Sequence, residues 1–415
     1  MEHVTEQRAL MKFHVLGVGA IGGLVAHNLR RTLPAEFSVT LIHKNIRDQL
    51  RLRGTGAITI ERSGTQDTSD GYDHEIFSER TLSSPTLPKS TIINSSPAAR
   101  ASTGPIHSLF VALKAHHTTT AIQALASRLS PQSTIVLLQN GMGVYEKLIE
   151  NVFRNPTERP HFILTTNSHG AFATDFYRIV HAGLGSIEFG IAPDPQGRDF
   201  EAGLHDENIH PQHRRLRLID ISLHGDPQSE RYNNLRSTVA ALLLLENLGT
   251  SWQPFSALQL AMRQKLAINA VINPLTALLD CRNGDLFEHE QARKFLSQVC
   301  DEASNVFMAQ MAGETDSWLD DLQADGVDIS TIQPPMFPEA LTSEALQTEV
   351  LRVAAITRQN ISSTLADVRR GRTTEIDFVN GYLENLGQQY GVNTPIISAL
   401  ANLIRLKSAL PLNLV

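Results

Sequence analysis

Residues 12–32 read KFHVLGVGAIGGLVAHNLRRT: an apolar run, glycines in a G-x-G-x-x-G pattern, then a helical pattern. A short apolar run that stops at glycine is expected to be a buried strand, and the pattern beyond it changes to a helical period. Gly17 allows a tight turn, Gly19 lets the backbone approach a ligand, and Gly22 lets the new helix pack on the strand it has just left. Ala20, Ile21 and Gly22 then open the helix, where free N–H groups and the helix dipole favour an anion. In this strand–turn–helix context the expected anion is the pyrophosphate of a dinucleotide. A turn kept only for steric reasons is the alternative.

The stretches that follow repeat the alternation. FSVTLIHKN reads as a second buried strand, SLFVALKAHHTT and STIVLLQNGMG as strands ending in polar residues, and HTTTAIQALASRL as the helix between those two. Strand–helix–strand order implies a parallel sheet. HFILTTNSHGAF and YRIVHAGLGSIEFG read as strands closing the domain, and from residue 232 the pattern is helical. At 415 residues the chain is too long for one ordinary core. The expected fold is therefore α/β: an N-terminal Rossmann-type dinucleotide-binding domain over residues 1–231 and a C-terminal all-helical domain over 232–415. Polar stretches near 62–106, 191–230 and 313–343 read as insertions, the first with room for short strands, and helices are expected over 344–369, 374–391 and 394–408.

Charge and composition exclude several classes. With 36 basic and 43 acidic residues and a net charge of −7, the chain is not expected to bind nucleic acid or an anionic membrane. No apolar run is long enough for a membrane span. Cys281 and Cys300 form no CxxC, and the 16 histidines show no zinc-ligand spacing, so no metal is expected. The opening residues MEHVTEQRALMKFHVLG lack a secretory apolar core, so a cytoplasmic location is expected, with a mitochondrial one left open.

Ligands of an open parallel sheet bind beyond the carboxyl ends of its strands. LIHKN ends the second strand without an acid, and Lys44 and Arg47 suit a 2′-phosphate, so NADPH/NADP+ is expected over NAD. Lys114 and Asn140 end the next strands; for Asn140 a plain Asn-Gly turn is the alternative. Downstream, MRQKLAINAVINPLTA spaces Lys265, Asn269 and Asn273 by four, which makes one slanted stripe on a helix. Buried polar groups need partners, so the stripe is either functional or a snorkelling lysine with capping amides. Pro274 frees a backbone carbonyl in the same helix. In NISSTLADVRRGRTTEIDFVNG, Thr374 and Asp377 have capping-box spacing. Glu375 there either compensates a helix dipole or aims a carboxylate at Lys265.

Taken together, VLGVGAIGG, ALKAHHTTTAI, LLQNGMG, QKLAINAVINPLTALLDCRNGDL and NISSTLADVRRGRTTEIDFVNGYL resemble the ketopantoate reductase (2-dehydropantoate 2-reductase) family. The polar insertions resemble those of enlarged fungal members. The resemblance implies NADPH-dependent reduction of ketopantoate to (R)-pantoate, in pantothenate and coenzyme A synthesis, with no metal. It makes Lys265 the general acid and Glu375 an active-site carboxylate. It assigns Asn269, Asn273, Asn283 and Ser363 to the substrate, and Gly17, Gly19, Ala20, Ile21, Gly22, Lys44, Lys114 and Asn140 to the cofactor. At 44 the family often has arginine, so lysine there loses bidentate phosphate geometry. The implied partner is a small-molecule 2-keto acid, and the implied state a monomer or homodimer. One alternative is a reductase of another 2-keto acid. A second is a non-catalytic descendant that acts by binding; such a chain is expected to lack Lys265, Asn269 or Glu375, and all three are present.

Overall fold

Short apolar runs form strands here because both faces of the sheet they enter are covered. The computed structural model describes residues 11–43, 56–76, 104–223 and 225–410. In chain order the strands are β1 (Lys12–Leu16), β2 (Ser38–His43), β3 (Ile58–Arg62), β4 (Thr65–Ser69), β5 (Asp73–Ile76), β6 (Ser108–Val111), β7 (Thr134–Leu137), β8 (His161–Asn167), β9 (Gly170–Asp175), β10 (Arg178–Gly183), β11 (Ile187–Ile191) and β12 (Thr250–Trp252). The longer helices are α1 (Ala20–Thr32), α2 (Ala115–Leu125), α3 (Val144–Asn151), α4 (Ser229–Leu243), α5 (Phe255–Leu279), α6 (Glu290–Ala324), α7 (Ser343–Ile356), α8 (Ser363–Arg369), α9 (Asn380–Gln389) and α10 (Pro395–Ala409).

The described residues form two compact units. The first comprises the chain to Gln139 together with Tyr145–Leu258, and its main sheet has the order β12-β11-β8-β7-β6-β1-β2-β5. The pairs β1–β2, β1–β6, β2–β5, β6–β7 and β7–β8 are parallel. β11 runs antiparallel to β8, and β12 joins β11 in parallel. A smaller sheet, β4-β3-β10-β9, lies beside α1. Val15, Leu24, Phe110, Val136 and Ile163 share one buried cluster in this unit.

The second unit comprises Asn140–Val144 and Gln259–Val415. Its described part is helical from α5 onward. Residues 266–268 and 270–273 of α5 are buried without a break, so this helix is central to its unit rather than amphipathic. Val271, Leu296, Val299, Phe307 and Leu383 form its core.

The divide after Leu258 differs from the boundary expected at 231/232. Periodicity reports where helices begin, not which core they join. α4 is helical, yet it buries Tyr232, Leu235, Val239 and Leu242 in the core of the first unit, and β12 then pairs with β11.

The polar stretches resolve in different ways, the first with the short strands expected of it. Within 62–106, β4 and β5 are strands, and residues 77–103 lie outside the described residues. In 191–230, ion pairs of Arg198 with Asp226 and of Arg217 with Asp206 and Asp220 hold short helical turns together. The stretch expected to begin an insertion at 313 instead continues α6 as far as Ala324. The helix expected over 344–369 is broken between α7 and α8. The one expected over 374–391 is a short turn at Ile376–Phe378 followed by α9.

Candidate active site

The glycine turn is built as its residue types require. Gly17 has φ +93°, and a Cβ on it would lie 2.8 Å from the Leu113 nitrogen. A Cβ on Gly22 would lie 2.0 Å from the Gly17 carbonyl oxygen, so the helix can start this close to the turn only without a side chain there. Gly19 is the N-cap of α1, with no side-chain cap and no acidic residue in the first turn. A Cβ there would meet nothing within 4 Å. An uncapped helix start facing open space, with Ala20, Ile21 and Gly22 in its first turn, fits a phosphate group.

The neighbouring strand ends are polar. Lys114, half-buried, is the N-cap of α2 just after β6. β2 ends at His43, which bonds to the Tyr177 hydroxyl at 2.9 Å and to His74 at 3.0 Å. Burial lowers the His43 pKa to about 4, so the His43 ring is neutral near pH 7. Lys44 and Arg47 lie outside the described residues.

The second unit gathers the other candidates. Lys265 and Asn269 are half-buried on α5, and Asn273 is buried on the same stripe. The Lys265 Nζ donates to Asn140 Oδ1 at 2.9 Å. Burial lowers the Lys265 pKa to about 8, and the Glu375 carboxylate acts in the opposite direction. Glu375 is itself buried, and its carbonyl accepts the Phe378 N–H at 2.9 Å. Lys265, Asn140 and Glu375, far apart in sequence, therefore interact within one unit. Gly141 makes this possible: its φ is +83°, and a Cβ on it would lie 2.3 Å from the Phe378 carbonyl oxygen. The Met142 N–H donates to that same oxygen at 2.9 Å.

Asn283 and Ser363 sit on adjoining segments. Asn283 is buried, donates from Nδ2 to Thr357 Oγ1 at 2.9 Å and from its backbone to Asn360 at 3.0 Å, and has a buried Oδ1 without a partner among the described residues. Ser363 is the exposed first residue of α8. Its neighbour Ser362 caps that helix, accepting from Leu365 N at 3.1 Å and from Thr276 Oγ1 at 2.7 Å. The capping box expected at Thr374 and Asp377 does not form. The turn begins at Glu375 without a side-chain cap, and Asp377 instead accepts from Arg405 Nε at 2.7 Å.

One residue escaped the reading of the sequence. Asn380 is fully buried and donates from Nδ2 to the Ala270 carbonyl at 3.0 Å. The signal was present in Pro274, which leaves that carbonyl without its helical donor. Among the described residues no helix is long and apolar enough to cross a membrane, and no group of three or more His, Cys, Asp or Glu could hold a metal ion.

A mainly parallel α/β sheet with a glycine turn, followed by a helical unit with a half-buried amine that feels a carboxylate, fits one class: oxidoreductases built from a Rossmann-type unit and a helical unit. The chain belongs within that class to the ketopantoate reductase family. The family model for ketopantoate reductase PanE/ApbA matches residues 13–194, and that for the PanE/ApbA C terminal matches residues 257–408. A probable 2-dehydropantoate 2-reductase of Schizosaccharomyces pombe is 25% identical over 411 residues, covering 96% of this chain and 97% of its own. The 2-dehydropantoate 2-reductase of Escherichia coli O157:H7 is 29% identical over 301 residues, covering 72% and 74%. Among solved structures, D-mandelate dehydrogenase with NADH and anilino(oxo)acetate superposes with a TM-score of 0.62 at 16% identity, covering 96% of this chain and 98% of that one.

Proposed function

We propose that this protein reduces the keto group of a 2-keto acid with NADPH, ketopantoate giving (R)-pantoate being the first candidate. The observation that carries the reading is the Lys265 amine, bonded to Asn140 and lowered to about 8 beside Glu375. Gly17, Gly19, Ala20, Ile21 and Gly22 would hold the pyrophosphate, with Lys114 nearby in the same unit. Lys44 would take the 2′-phosphate. The bound cofactor supplies the hydride that turns the keto carbon into a carbinol carbon.

The chain supplies the rest. As the keto oxygen gains negative charge, Lys265 as ammonium stabilises it and gives up a proton, completing the hydroxyl. Asn140 fixes the direction of the amine. Glu375 keeps more of it protonated than burial alone would allow. Asn269, Asn273 and Asn283 would orient the substrate through neutral amides, without a competing proton donor, and Ser363 would bond its carboxylate.

The ammonium form is the working form for reduction, and it is lost as pH rises through about 8. Below that pH, kcat is expected to be level; above it, kcat should fall about tenfold per pH unit. A steady-state pH series with keto acid and NADPH checks this, and a rate that stays level through that range rules out Lys265 as the donor. A second expectation concerns the turn. Gly22→Ala drives a Cβ into the Gly17 carbonyl, so NADPH affinity should drop by roughly tenfold or more. Fluorescence titration with NADPH measures it, and wild-type affinity would speak against the cradle.

The substrate is tested by NADPH oxidation with ketopantoate beside shorter, longer and aromatic 2-keto acids, each repeated with NADH. Ketopantoate is expected to give the highest kcat/KM, with NADPH preferred. The fold shared with D-mandelate dehydrogenase puts aromatic 2-keto acids on that panel. A clear preference for one of them replaces ketopantoate while leaving the chemistry of Lys265 in place.

A further inference from the structure

Pro274 lies inside α5 and has no N–H, so the Ala270 carbonyl has no donor from the following turn. A buried carbonyl without a donor is costly. Asn380 Nδ2 takes that position at 3.0 Å. The Asn380 side chain is completely buried, and among the described residues its Oδ1 has no hydrogen-bond partner. The amide therefore acts at this position through its N–H side.

The bond closes a circuit. Asn380 follows Phe378, whose carbonyl receives the Met142 N–H at 2.9 Å. Met142 follows Asn140, whose Oδ1 receives the Lys265 Nζ at 2.9 Å. Lys265 and Ala270 lie on the same helix, α5. Hydrogen bonds thus run from α5 to the 140–142 segment, on to the turn at Ile376–Phe378, and back to α5. Glu375 belongs to this circuit, because its carbonyl accepts the Phe378 N–H.

We infer that Asn380 is a positioning residue: by filling the carbonyl freed by Pro274, it holds the segment bearing Glu375 at a set spacing from the part of α5 bearing Lys265. This rests on the reading of Lys265 as the proton donor. A proline in a central helix, which would otherwise weaken it, serves here as the socket that ties a distant segment to the reacting amine.

A double-mutant cycle tests it with the full chain: wild type, Asn380→Ala, Pro274→Ala and the double variant. Asn380→Ala is expected to lower kcat roughly 10- to 100-fold through misplacement of the amine, and to move the alkaline limb of the pH profile. In Pro274→Ala the new backbone N–H serves the Ala270 carbonyl. The further loss from Asn380→Ala should then shrink to about twofold, the scatter of independent sites. Equal losses in both backgrounds, or an unmoved pH profile in Asn380→Ala, overturn the inference. If Asn380→Ala does not fold, recovery of folding in the double variant supports the coupling, and failure of both overturns it. If the wild type reduces no keto acid, the proposed function fails separately. Thermal midpoints then supply the cycle, and the pH dependence of Lys265 acylation by an amine-reactive reagent reports on the amine.

Discussion

On the proposed reading, Lys265→Ala is expected to lower kcat for keto-acid reduction by roughly 10²- to 10⁴-fold, the range for loss of a placed general acid. The change removes the proton and the positive charge together, and it leaves Asn140 Oδ1 without its donor and buried Glu375 without its cationic neighbour. NADPH binding is expected to stay within a fewfold of wild type, because the glycine turn belongs to the first unit and Lys265 to the second. Single-turnover kinetics with a parallel NADPH titration separate the two effects. Near-normal reduction by the variant would remove Lys265 from the mechanism, and an equal collapse of NADPH affinity would make its role one of binding rather than proton transfer.

Gly141→Ala is expected to be nearly as damaging, although it removes no functional group. The substitution forces alanine to φ +83° and sets its Cβ 2.3 Å from the Phe378 carbonyl oxygen. The Cβ is fixed to its own backbone and its nearest neighbour is a backbone oxygen, so relief requires the 140–142 segment to move away from the Glu375 turn. Asn140 would move with it and release the Lys265 amine. A loss of kcat of roughly 10²-fold follows from a misplacement on the order of an ångström. Gly197→Ala is the control: its φ is +79°, and a Cβ there meets nothing within 4 Å, so it carries the backbone strain without the clash. If Gly141→Ala proves no worse than Gly197→Ala in kcat and thermal midpoint, the close approach has no functional role.

The parallel strands and the glycine turn were legible because their determinants are local. Buried strands read as unbroken apolar runs, and Gly17, Gly19 and Gly22 act within a few residues of one another. The stripe of Lys265, Asn269 and Asn273 was visible for the same reason, since a helical period is a property of neighbours along the chain. The boundary near 231 misled because α4 looks like the helices that follow it but is buried among strands. The expected insertion at 313 misled because the exposed turns of α6 beyond Gly313 carry the polar residues of a solvated helix, and composition alone does not tell such a helix from a loop. Thr374 and Asp377 had the spacing of a capping box, but Arg405 competes for the Asp377 carboxylate.

By itself the sequence determined the α/β order, the glycine turn and the set of polar residues available for reduction chemistry, since each follows from steric and periodic rules acting over a few residues. Tertiary structure alone decided which of those residues meet. Lys265 finds Asn140 across 125 positions, and Pro274 is explained only by Asn380, whose amide reaches the Ala270 carbonyl across 110. The pKa of the amine is likewise a tertiary property, because burial sets it and Glu375 opposes the shift. Hydrogen bonds and desolvation depend on distance through space, and no local pattern in the chain encodes that distance.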